Sequence, residues 1–146
     1  IESKFGKMSR TRGEKYDFLG MDIRLKKGKV TISMNKKHIL KAIDTFEEDI
    51  TRDAATPAKS YLFQTRETTK LGEERADNFH SVTGSLLFVS RRCRLDIQTA
   101  VAFLCTGVDE PDEDDWGKLK RVLQYLRGTI DLVLTLGAWA FAFYTT

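Results

Sequence analysis

Apolar and polar residues change their period several times along the chain, and each period predicts an element. In residues 16–25, Phe18, Gly20, Asp22 and Arg24 alternate with Leu19, Met21, Ile23 and Leu25, the two-residue repeat of a strand. Lys26-Lys27-Gly28 reads as a turn, after which Val30, Ile32 and Met34 resume the alternation, so the two runs predict a β-hairpin. Gly20 inside a strand marks a bulge, or a place where another backbone comes close, whether of the protein or of a ligand. Asn35 suits the N-cap of a helix reaching about Phe46, with Ile39, Leu40, Ile43 and Phe46 on one face.

Residues 47–76 are polar and acidic around Thr56-Pro57, and predict a connector rather than a second core. A helical stripe of Phe79, Val82, Leu86 and Val89 follows over roughly 77–90, with Gly84 and Ser85 small enough to admit a neighbouring backbone. The basic knot Arg91-Arg92-Cys93-Arg94 is expected to break it. Residues 96–106, apolar nearly all round, predict a buried helix. The acidic run 109–115 opens a last helix to about Arg127, since acids suit a first turn and bases a last one, with Gly128 as a stop. Trp116, Leu119, Leu123 and Leu126 form its core stripe; Lys120, Gln124 and Arg127 line another face beside Arg121.

At 146 residues the chain can build one cored domain, or two small subdomains sharing a core. Its net charge of +3 conceals an asymmetry: residues 1–41 carry +8, residues 42–80 carry −4 and residues 81–146 carry −1. A basic N-terminal third suits phosphate backbones, and suits an ordinary solvated surface equally. No run approaches the ~18 apolar residues of a membrane span. Cys93 and Cys105 form no CxxC pair, which points to small buried thiols in an intracellular, reducing compartment. The acidic run 109–115 lacks the ligand alternation of a Ca²⁺ loop, and no phosphate-binding GxxxxGK[ST] occurs. His38 and His80 stand alone and read as surface or packing residues, and no serine has a nucleophile-elbow context. No catalytic or metal-ligating residue is displayed, and a chain opening on Ile1 is expected to be an excerpt or a processed product.

The segments YDFLGMDI, KVTISMNKKHILKAI, ATP, FHSVTGSLLFVS, RLDIQTAVAFL and DDWGKLKRVLQYLRGT, in that order over residues 14–136, resemble the polymerase of copia-type LTR retrotransposons. The last is the most specific, as W-x-x-L-K-R-V-L-x-Y-L-x-G-T. Two departures stand out: Arg94-Leu95-Asp96-Ile97 replaces the family's Arg-Pro-Asp-Ile, and the tail AWAFAFYTT after Gly137 leaves the pattern.

The resemblance implies an α+β chain: an N-terminal β-hairpin, a small helical, thumb-like bundle and a short C-terminal strand segment. Residues 1–34 would be the end of the palm with the primer-grip hairpin, and 35–128 the thumb with its polar connector at about 47–76. Residues 129–146 would begin the connection toward ribonuclease H. The paired catalytic aspartates would lie upstream, so the chain alone is expected to be inactive and to need no cofactor, Mg²⁺ serving only the intact polymerase. The implied partners are an RNA–DNA or DNA template–primer duplex and the remainder of the Pol polyprotein, with no membrane. Phe18, Leu19, Gly20, Arg91, Arg92, Arg94, Lys120, Arg121 and Arg127 are the expected nucleic-acid contacts. Alternatives are a segment of an intact RNA-directed DNA polymerase polyprotein, or a decayed retroelement copy without function.

Overall fold

The structure, a computed structural model, describes residues 13–26 and 28–137. The basic N-terminal stretch before Gly13, Lys27 of the turn expected from the sequence and the off-pattern tail lie outside the described residues.

Four strands, β1 (Lys15–Phe18), β2 (Met21–Lys26), β3 (Lys29–Met34) and β4 (Leu134–Gly137), form one antiparallel sheet in the order β1-β2-β3-β4. The single strand predicted over 16–25 is in fact two, broken at Leu19-Gly20. The reason lies in parity. One continuous strand would send Phe18 to the face opposite Met21, Ile23 and Leu25. A two-residue turn pairs Phe18 with Met21 and Tyr16 with Ile23, which gathers the apolar side chains on one face. Lys15, Asp17, Asp22, Arg24 and Lys26 then share the other face. The turn shifts the apolar phase from even positions, Tyr16 and Phe18, to odd ones, Met21, Ile23 and Leu25, a slip that a single-strand reading passes over.

The helices are α1 (Lys36–Thr45), α2 (Glu73–Arg92), α3 (Gln98–Cys105), entered through a 3-10 turn at Leu95–Ile97, and α4 (Glu113–Gly128). Asn35 caps α1 as expected, its side chain accepting from the Lys37 N–H. The acidic run starts α4: Asp112 accepts from the N–H groups of Asp114 and Asp115, and Asp115 reaches back to the Asp112 N–H. Helix α2 includes Arg91 and Arg92 instead of breaking before them. Glu73 and Glu74 in its first turn and these arginines in its last complement the helix dipole at both ends.

The core gathers Ile39, Ala42 and Phe46 of α1, the predicted α2 stripe, Ile97 and the buried face of α3, and Trp116, Leu119, Leu123 and Leu126 of α4. Phe46 stacks on Trp116 at 4.4 Å between ring centroids. Leu40, expected on the buried face of α1, is instead 45% exposed, because Ala42 and Ile39 take the inward positions. Met34 joins the sheet to this core. The connector between Thr45 and Glu73 has no regular helix or strand, but its Ile50 and Leu62 are buried against the bundle. Among the described residues no helix is long and apolar enough to cross a membrane.

Candidate nucleic-acid interface

The residues expected to touch nucleic acid fall into three environments. The first is the tip of the β1–β2 hairpin. Leu19 and Gly20 have φ of 52° and 77°, the left-handed pair that joins tightly twisted antiparallel strands in two residues. Gly20 is required twice over: its φ disfavours a side chain, and a Cβ there would come within 2.6 Å of His38 Nε2. Gly20 is thus in a turn, not the bulge read from the sequence, and its missing side chain makes room for the His38 side chain of α1 rather than for a second backbone. The Asn35 N–H donates to the Gly20 carbonyl at 2.9 Å, which ties the turn to the start of α1. Phe18 and Leu19 are left 58% and 56% exposed on the outer side of this anchored tip.

The second environment continues from His38. Its ring lies 5.6 Å from that of Phe88 on α2, and the Arg92 guanidinium sits over Phe88 at 4.3 Å. Arg91, beside it, is exposed. Between α1 and α2 runs a groove of about 300 Å³ lined by His38, Lys41, Ala42, Ser85 and Phe88. Gly84, on the outer side of α2, has no atom within 4 Å of where a Cβ would stand, so no internal backbone uses the space it leaves. Hairpin tip, His38, Phe88 and Arg92 therefore form one chain of contacts carrying exposed apolar surface and positive charge.

The third environment takes up the remaining expected contacts internally. Arg94 is 1% exposed. Its Nε and Nη2 donate to the Asp96 carboxylate at 3.0 and 2.8 Å, and Nη1 and Nη2 donate to the Thr129 carbonyl and hydroxyl at 3.0 and 2.7 Å. It ties the entry of α3 to the end of α4. On α4, Lys120 pairs with Glu48, and Arg121 donates to the Thr56 hydroxyl at 3.0 Å. Arg127 pairs with Asp53 at 2.9 Å and donates to the Ile50 and Thr51 carbonyls. The helix face read as a phosphate ladder is the face to which the acidic connector is strapped. Glu48 also accepts from Trp116 Nε1 at 2.6 Å; the Lys120 hydrogen bond, against burial and with help from Trp116, holds its carboxyl below the ordinary range.

Lys41 and Phe88 were not singled out in the sequence, and His38 was read there only as a surface or packing residue. Phe88 carried a usable signal, since it falls off the 79/82/86/89 stripe and so had to face away from the core. His38 and Lys41 carried none, because their neighbours come from distant segments. Among the described residues no three His, Cys, Asp or Glu side chains converge as metal ligands would.

The chain is 26% identical over 131 residues to the retrovirus-related Pol polyprotein from transposon TNT 1-94 of Nicotiana tabacum, an alignment covering 86% of this chain and 10% of that protein. It is 30% identical over 120 residues to an uncharacterized mitochondrial protein of Arabidopsis thaliana, covering 81% of this chain and 48% of that protein. It thus spans about a tenth of the length of the first relative and about half of the second. No family model matches the chain, and no solved structure matches it significantly. Taken with the order of motifs, these similarities make the chain a relative of retrotransposon Pol polyproteins.

Proposed function

We propose that this chain holds template–primer nucleic acid for a copia-type reverse transcriptase, with the hairpin tip and the α1–α2 groove as its gripping surface. The supporting observation is the continuous path from Phe18 and Leu19 through Gly20 and His38 to Phe88 and Arg92. Exposed aromatic and apolar side chains can pack on sugars and bases, while Lys41, Arg91 and Arg92 neutralise phosphates. Such a surface recognises backbone and shape and tolerates sequence. On this reading Arg94, Lys120, Arg121 and Arg127 support the fold from inside, and Mg²⁺ belongs to carboxylates of the polymerase outside these motifs.

The test is binding of the purified chain to a labelled RNA–DNA hybrid across a salt series. The expected result is affinity that falls steeply with salt, with a log–log slope that drops by about 0.9 for each phosphate contact removed. Arg91→Ala and Arg92→Ala should each reduce that slope, and Phe88→Ala should weaken binding without changing it. Salt-independent binding, or unchanged binding by the combined Phe88, Arg91 and Arg92 variant, would refute the assignment.

A further inference from the structure

A cleft of about 230 Å³ lies on the side of the molecule where the connector crosses α4, away from the hairpin and groove. Pro57, Tyr61 and Leu62 of the connector form one wall; Gly117, Arg121 and Gln124, a single stripe of α4, form the other. Three features of this cleft favour a ligand.

Gly117 is the fifth residue of a sixteen-residue helix, just past its first turn, where glycine weakens the helix relative to alanine. Nothing lies within 4 Å of the position its Cβ would take, so no internal contact requires its bareness. What the missing side chain does is keep the cleft open. One turn further on, Arg121 Nε is buried with no hydrogen-bond acceptor, although its Nη2 reaches Thr56. That nitrogen is enclosed by protein, but the rest of the guanidinium lines the cleft with a permanent charge that no carboxylate among the described residues neutralises, which suits an anion.

The charge balance gives the same sign. The two carboxylates at the cleft are already taken, Glu113 by Arg75 and Asp114 by Lys118 at 2.7 Å. Arg121 and Lys59 have no carboxylate partner among the described residues, and Lys59 and Arg66 both lie over the Tyr61 ring, at 5.3 and 4.8 Å. The volume equals that of about eight waters at roughly 30 Å³ each. That space suits one ring with one charged group and excludes a duplex.

We propose that this cleft binds a small organic anion: a flat apolar ring lying over Gly117 against Pro57 and Leu62, with its charged group on Arg121 and the Gln124 amide. The charged group could be a phosphate monoester or a carboxylate, two sources of one chemistry. The site is independent of the duplex-gripping surface, and either can fail without the other.

The whole chain is titrated, with amide NMR shifts as readout, against phenyl phosphate and benzoate, with inorganic phosphate and benzyl alcohol as the anion-only and ring-only controls. The expected result is saturable binding of at least one ring-bearing anion, with shifts concentrated at Gly117, Arg121 and Gln124. That anion should bind about tenfold more tightly than either control, and the better of the two identifies the source. Gly117→Leu should abolish binding while leaving thermal stability unchanged or higher, since it fills the cleft and improves the helix. Arg121→Gln should weaken binding about tenfold, the effect of losing one charge-assisted hydrogen bond. Absence of saturable binding by both ring-bearing anions overturns the proposal. So does a Gly117→Leu chain that binds like the parent, or inorganic phosphate binding as well as phenyl phosphate.

Discussion

Arg94 offers the sharpest test of whether a cation in this chain serves the fold or a ligand. Two of its nitrogens bond Asp96 and two bond Thr129, and almost none of its surface reaches solvent. Arg94→Ala removes a large buried side chain, leaves the Thr129 carbonyl without its Arg94 donor, and leaves the Asp96 carboxylate with Tyr125 alone. Breaking a buried pair from one side costs about 3–5 kcal/mol. The Asp96 side chain is 28% exposed and can rehydrate, which favours the lower end, about 3 kcal/mol. With an m-value of about 2 kcal/mol per molar urea, the unfolding midpoint should fall by about 1.5 M. Arg94→Met keeps most of the packing but loses every guanidinium bond, to Asp96 as well as to Thr129, so its cost should be only somewhat smaller, about 2–3 kcal/mol. Urea unfolding followed by circular dichroism measures both. The pH dependence gives a second readout. Burial raises the Asp96 carboxyl, but hydrogen bonds from Arg94 and then Tyr125 outweigh it and hold the carboxyl below the ordinary range. Its stabilisation is therefore complete above the unfolded value of about 3.9 and is lost as pH falls through the lower folded one. Arg94→Ala should flatten that acid-side loss. An Arg94→Ala chain within 1 kcal/mol of the parent in stability but impaired in duplex binding would refute the reasoning and return Arg94 to the ligand surface.

Glu48→Ala should cost about 1–3 kcal/mol, because it strands the Trp116 indole N–H, whose only acceptor among the described residues is that carboxylate. Fluorescence-monitored urea unfolding would show it, and an unchanged midpoint would remove Glu48 as the clasp of the connector. Gly84→Ala should stabilise the chain by about 0.5–1 kcal/mol, since α2 gains helix propensity and the new methyl meets nothing within 4 Å. That is a rise of about 1–4 °C in melting temperature, and a fall would contradict the open space described here. Gly20→Ala should destabilise by about 1–2 kcal/mol through its positive φ, with the largest loss of amide-exchange protection in β1 and β2. Unchanged protection there would argue against the left-handed turn.

Local chemistry explains which parts of this fold could be read directly. Asn35 before an amphipathic run and Asp112 before Trp116 are caps whose partners lie within three residues, so a helix start announces itself. The α2 stripe and the Trp116/Leu119/Leu123/Leu126 stripe are visible for the same reason, because helical spacing is a property of neighbours. The hairpin tip marks the limit. The apolar phase slips between Phe18 and Met21, but such a slip fits a bulge as well as a turn, and only the pairing of β1 with β2 and docking on His38 select the turn.

The candidate site divides along the same line. Residue order alone determined an α+β chain, its helix ends, its kinship with Pol polyproteins and the basic character of several positions. It could not tell which cations remain free, because an arginine one turn from another looks the same whether it faces water or a carboxylate far along the chain. Lys120 and Arg127 meet Glu48 and Asp53 across more than seventy residues, and Arg94 meets Thr129 across 35. Those encounters depend on where the connector is laid, which follows from the burial of Ile50 and Leu62 against the bundle and not from any local period. Tertiary packing, by spending some cations inside and leaving Arg91, Arg92 and Lys41 outside, decided which surface can meet a phosphate.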